Sequence, residues 1–85
     1  MQVQVQVRYF AALREALGTS ERVLLPTGAT LGALRDQLIT LSPRHAELLS
    51  RLRTVRGAIN QAMCDEATVV PDGAEVAFFP PVTGG

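Results

Sequence analysis

Lysine is missing from this 85-residue chain: all eight of its basic residues are arginine. One copy therefore cannot be joined to another through a lysine side-chain amine; a plain preference for arginine on the surface is the competing explanation. There is one cysteine, Cys64. That excludes an intrachain disulfide and a multi-cysteine metal site, and it fits a reducing compartment. No apolar run approaches the ~18 residues that span a bilayer, and Met1-Gln2-Val3-Gln4-Val5 lacks the continuous apolar core of a signal peptide. A cytoplasmic protein is expected. Basic blocks are absent as well: eight acidic residues cancel the eight arginines, so neither nucleic acid nor a membrane is indicated as a partner, and another protein is. Catalytic signatures are also lacking. No Gly-rich phosphate loop, His–Cys pair at useful spacing or paired-carboxylate motif occurs.

What is present suits one small domain, since 47% of the residues are hydrophobic and the chain is too short for two cores. Val3, Val5 and Val7 alternate with Gln2, Gln4, Gln6 and Arg8, which predicts a half-buried strand. Phe10, Leu13 and Leu17 follow at helical spacing up to Gly18, placed as a helix-ending glycine. A second strand at Arg22–Leu25 stops at Pro26 and turns through Thr27-Gly28-Ala29. Thr30 then caps a main helix whose apolar face is Leu31, Leu34, Leu38 and Leu41, with Arg35, Asp36 and Gln37 turned away. Ser42-Pro43 opens a second helical segment to Leu52, in which Glu47 and Arg51 form an i,i+4 pair. Val55–Asn60 returns to strand alternation, Asn60-Gln61 turns, Ala62-Met63-Cys64 is a short partner, and Val69 and Val70 form a small buried plug. Pro71-Asp72-Gly73-Ala74 is a turn before the last strand, Glu75–Phe79. This order predicts an α+β fold of the β-grasp, ubiquitin-like kind: a mixed sheet with one main covering helix, its final strand parallel to the first. One helix covers one face, so the other is open to partners.

The end of the chain carries the functional signal. Pro80 and Pro81 favour an extended spacer, and Gly84-Gly85 is a slender, flexible tip without Cβ atoms. A domain over residues 1–81 with a flexible tail over 82–85 is expected. If Val76 and Phe78 face the helix, Phe79 lies outside beside the tail, as a binding anchor or under cover of the short helix or a loop. A terminal carboxylate, ionised at neutral pH with a pKa of ~3.3 to 3.7, is a poor electrophile and needs an external activator. Coupling to ATP would give an acyl-adenylate that a sulfur donor can attack, leaving a terminal thiocarboxylate. Elsewhere, His45 reads as an exposed structural histidine, Asp65-Glu66 as a solvated loop or a weak cation site, and Cys64 as a buried strand residue or a persulfide acceptor.

Three segments resemble the small, sulfur-carrier subunit of molybdopterin synthase, the MoaD family: Arg8 to Gly18, Ala58-Ile59-Asn60-Gln61, and above all Asp72 to Gly85 with its Phe78-Phe79-Pro80-Pro81-Val82-Thr83-Gly84-Gly85 ending. Tyr9 stands where many relatives have phenylalanine, and Cys64 belongs to no motif of that family. The resemblance implies that Gly85 is adenylated by a ubiquitin-activating-like adenylyltransferase through a transient AMP adduct and becomes a thiocarboxylate. It then donates sulfur to cyclic pyranopterin monophosphate (precursor Z), two charged carriers serving each dithiolene. Phe10, Phe79, Pro80, Pro81, Val82, Thr83 and Gly84 would bind partners, among them the large synthase subunit in a heterotetramer with two of each subunit. No permanent cofactor and no metal are implied, and the catalytic residues would lie on the large subunit. A carrier for another pathway, such as thiamine thiazole synthesis, and a ubiquitin-like protein modifier or interaction domain are the alternatives.

Overall fold

Alternation of valine and glutamine gives the first strand, β1 (Gln2–Tyr9), one dry face and one wet one: Val3, Val5, Val7 and Tyr9 are buried while the glutamines are exposed. The computed structural model describes residues 1–80. After β1 come α1 (Ala12–Leu17), β2 (Ser20–Pro26), α2 (Leu31–Ile39), α3 (Pro43–Leu49), β3 (Arg56–Ile59), β4 (Ala62–Cys64) and β5 (Glu75–Phe79). The five strands form a single mixed sheet in the order β2-β1-β5-β3-β4. The β1–β5 pair is parallel, with Val7 beside Val76 and Tyr9 beside Phe78; the other pairs are antiparallel. This is the expected β-grasp, and it puts β5 in the middle of the sheet.

The core lies between the inner face of the sheet and α2. Leu31, Leu34 and Leu38 are at most 1% exposed, and they meet Val5, Val7, Leu25, Val76 and Phe78. Thr30 caps α2 as expected, its hydroxyl accepting from Ala33 N–H at 3.1 Å, and Ser42 caps α3 through His45 N–H at 3.1 Å ahead of the N1 proline. Asn60 and Gln61 both have positive φ, 50° and 71°, the geometry of a two-residue hairpin turn that follows strand twist. Asn60 also ties this hairpin to β5, through N–H to the Glu75 carbonyl at 2.7 Å and through its side-chain oxygen accepting from Glu75 N–H at 3.0 Å.

Four expectations are corrected. Arg35 faces inward at 5% exposed, because it stands at i+4 from Leu31 and i−3 from Leu38, within the apolar stripe. Leu41 is past the end of α2 and exposed. Arg51 is beyond the end of α3, so it pairs with Asp36 and Glu66 in place of Glu47. Of the valine plug, Val70 is buried and Val69 is exposed. The boundary drawn between residues 81 and 82 lies outside the described residues.

Candidate functional site

β5 alternates in register with its neighbours, and that fixes the site. Val76 and Phe78 point to the helices and are 0% and 2% exposed, which leaves Ala77 and Phe79 on the open face. Phe79 is half-buried there. Phe10, directly after β1, reaches the same place because its N–H donates to the Phe78 carbonyl at 3.2 Å. The two rings meet edge to face, centroids 6.4 Å apart at 84°, an arrangement in which a ring edge meets the negative face of its partner. So Phe79 is neither bare nor covered by a helix: Phe10 shields one side of it. Ala11, which follows, has φ 54° and ψ −131°, a conformation a residue with a Cβ rarely adopts. That turn swings the chain from the open face of the sheet back to α1.

Arg8 lies over Phe10, its guanidinium carbon 5.6 Å from the ring centroid, and reaches the Glu75 carboxylate at 3.6 Å. With Met63 of β4 and Ala58 of β3, the aromatic pair lines a shallow groove of about 330 Å³ on the open face. A second recess of about 280 Å³ lies beside Pro80, between Ala12 and Leu13 of α1, Leu48 of α3 and the Arg53–Val55 stretch. The candidate site is therefore the end of β5 and Pro80, with an aromatic patch on one side and an apolar recess on the other. The structure sets Phe10 against Phe79 and places Pro80 at the second recess; Pro81, Val82, Thr83, Gly84 and Gly85 lie outside the described residues. Met63 and Arg8 were missed. Their signal was register: Ala58 pairs with both Ala77 and Met63, and Arg8 pairs with Ala77, which places all four in one row across the sheet.

Two polar clusters sit away from this site. Arg35 donates from Nε to the Leu49 carbonyl at 2.7 Å, from Nη2 to the carbonyls of Ser50 at 2.6 Å and Arg53 at 2.8 Å, and from Nη1 to Glu66 at 2.8 Å. It thereby satisfies carbonyls left over at the end of α3. Arg51 bonds the other oxygen of Glu66, the Asp36 carboxylate and the Gly32 carbonyl at 3.0 Å. Burial acts to raise the Glu66 carboxyl, but hydrogen bonds from Arg35 and Arg51 outweigh it and hold that group below its usual range. Arg51 is raised by its hydrogen bonds to Glu66 and Asp36. Asp65 is not spare either, since it accepts from Ala67 N–H at 2.9 Å. These acids are thus committed to arginines and backbone, and no group of three metal-ligating side chains occurs among the described residues.

His45 corrects its reading as an exposed residue. Its side chain is 13% exposed, with Nε2 2.6 Å from Glu21 and Nδ1 2.7 Å from the Ser42 hydroxyl. Tyr9 donates to the same Glu21 oxygen at 2.7 Å, and burial, then that hydrogen bond and the carboxylate's charge, push its phenol far above the usual range. The cluster fastens α3 to β1 and β2, and the Ser42 oxygen is occupied in capping the helix. Cys64 is half-buried at the end of β4, so the expectation of full burial holds only in part.

A mixed sheet under a main covering helix, with its central last strand ending at an aromatic patch, defines the ubiquitin-like β-grasp class. Residues 7–85 match the ThiS family. The chain is 41% identical to the molybdopterin synthase sulfur carrier subunit of Mycobacterium tuberculosis, covering 98% of this chain and 99% of that one. It is 38% identical to the subunit of the same name from Escherichia coli, over 95% and 99%. Among solved structures it is similar to the small archaeal modifier protein 1 of Haloferax volcanii (TM-score 0.77, 27% identity, 94% and 99% covered). It is similar too to a chain in the complex of subunits 1 and 2 of the molybdopterin-converting factor from Helicobacter pylori (TM-score 0.64, 27% identity, 98% and 100% covered). The chain belongs to the ThiS family, among its molybdopterin synthase sulfur carrier subunits.

Proposed function

We propose that Gly85 is the reactive end of this carrier: its carboxylate is adenylated by a ubiquitin-activating-like enzyme, exchanged for a thiocarboxylate, and carried into a large synthase subunit. There the sulfur is passed to cyclic pyranopterin monophosphate, two charged carriers completing one dithiolene in a heterotetramer with two of each subunit. The catalytic residues belong to the large subunit, and the work is cytoplasmic. The observation that carries this reading is the delivery of the chain from central β5, past Phe79 and Pro80, toward Thr83-Gly84-Gly85. The complex of two subunits named for the Helicobacter pylori relative supports the pairing.

Each part of the root has a task under this reading. The Phe10–Phe79 pair with Met63 supplies apolar area to a partner, since aromatic anchors dominate docking energy. Pro80 and Pro81 restrict the spacer, so less entropy is lost when the tail enters a channel. The two glycines add no side-chain width near the reacting carbon. Incubation with the activating enzyme, ATP and a sulfur source is expected to raise the intact mass by the difference between sulfur and oxygen. Deleting Gly85 abolishes that gain while the far-ultraviolet spectrum and melting temperature stay unchanged. An equal gain in the deleted chain would refute the assignment.

The likeness to a small archaeal modifier protein favours one second reading, in which the activated end is passed to an amine of another protein. The two part on the acceptor: sulfur on a pterin, or an isopeptide bond on a lysine.

A further inference from the structure

The arginines of this chain are not equally committed. Arg35 and Arg51 are bound to Glu66 and Asp36, and Arg8 is 3.6 Å from Glu75. Arg53 and Arg56 are exposed, and among the described residues no carboxylate lies within 4.0 Å of either. Both stand at the root of the tail. Arg56 of β3 pairs in register with Phe79, so it shares the open face with that ring; Arg53 borders the recess that holds Pro80. Their backbones are fixed, Arg56 by the sheet and Arg53 by its carbonyl accepting from the buried Arg35 at 2.8 Å. The elements meeting at this end, β1, α1, the 53–56 stretch and β5, carry Arg8, Arg14, Arg53 and Arg56 against Glu15 and Glu75. In a molecule of zero net charge, this end is positive.

We infer that Arg53 and Arg56 form a cationic collar around the tail root and that it recognises carboxylates at the mouth of the channel receiving the tail. The inference rests on the carrier reading above and adds the recognition element to it: an apolar patch for affinity and a charged collar for orientation and rate. A guanidinium's planar fork matches a carboxylate with two parallel hydrogen bonds, and rim charges act mainly on association rate and salt dependence. A phosphate target fits less well. The activated carboxylate is at Gly85, and five residues after Pro80 reach at most ~17 Å, so a nucleotide bound there need not touch the root. Nucleic acid fits the balanced overall charge poorly.

The test uses the full chain and the large synthase subunit encoded in the same genome, with association followed by stopped flow across a series of salt concentrations. The double variant Arg53→Glu/Arg56→Glu is expected to associate about tenfold more slowly at low salt and to lose most of the salt dependence. Its unfolding midpoint stays that of the parent, because both side chains are exposed. Arg53→Lys/Arg56→Lys keeps the salt dependence. A parent association indifferent to salt, or a charge-reversed variant as fast as or faster than the parent, overturns the collar. If Phe79→Ala still weakens the complex in that case, the carrier reading stands without it. If the parent chain and the large subunit do not associate at any salt concentration, the carrier reading falls and the collar with it.

Discussion

Arg35 shows how one side chain can organise a loop. Its guanidinium replaces the water that would solvate the carbonyls of Leu49, Ser50 and Arg53, and leaving such acceptors buried without a donor costs about 1–3 kcal/mol. Glu66 completes the arrangement by accepting from Arg35 and Arg51. Because the folded protein holds the Glu66 carboxyl below its ordinary value, the unfolded chain takes up the proton first as pH falls. The stabilisation is then present in full above the ordinary carboxylate range and is lost as pH drops through the lowered folded value. Thermal unfolding of the parent and of Glu66→Gln should therefore differ at neutral pH and converge in acid. A gap that stays constant down to the acid limit would show that the two arginines do not set the Glu66 charge. Its side chain is 42% exposed, so the effect should be modest and should shrink with salt.

At the scale of the element, β5 has two duties on its two faces. Phe78 is 2% exposed in the core and Phe79 is half-buried on the open face. Phe78→Ala is expected to cost about 3–5 kcal/mol of stability, whereas Phe79→Ala loses less stability and weakens partner docking more. Urea unfolding and calorimetric titration against the large subunit separate the two; equal losses of stability would place Phe79 in the core. This division was legible in the sequence, since period-two alternation over Glu75–Phe79 needs only one face to be buried. The Thr30 and Ser42 caps and the Asn60-Gln61 turn were legible too, because each depends on local chemistry. Arg35 was misread although its i+4 spacing from Leu31 was in plain view: a charged residue was assigned to solvent by type and not by position. The cluster of Tyr9, Glu21 and His45 was hidden for another reason. These residues come from β1, β2 and α3, and only tertiary packing brings them within hydrogen-bond reach. Gly57 was passed over likewise. A Cβ there would lie 2.6 Å from the Leu31 side chain, so the strand needs glycine to let α2 come close, and no local pattern announces that approach.

At the scale of the molecule, the globule reads as a support that keeps its own polar groups occupied. Its buried arginine, its half-buried histidine and its one phenol are all spent on internal bonds. At the end of β5 lie an aromatic pair, a thioether and a recess, with Arg53 and Arg56 beside them. Under the proposed function, the lack of lysine means that an activated end meets no side-chain amine on a second copy. The measurement that bears most directly on this account is the fate of radiolabelled sulfur loaded onto the chain and mixed with the large subunit and cyclic pyranopterin monophosphate. The label should leave the protein and appear in the pterin, with two carriers consumed per dithiolene formed. Label that stays on the protein, whether at Gly85 or on Cys64, would contradict it.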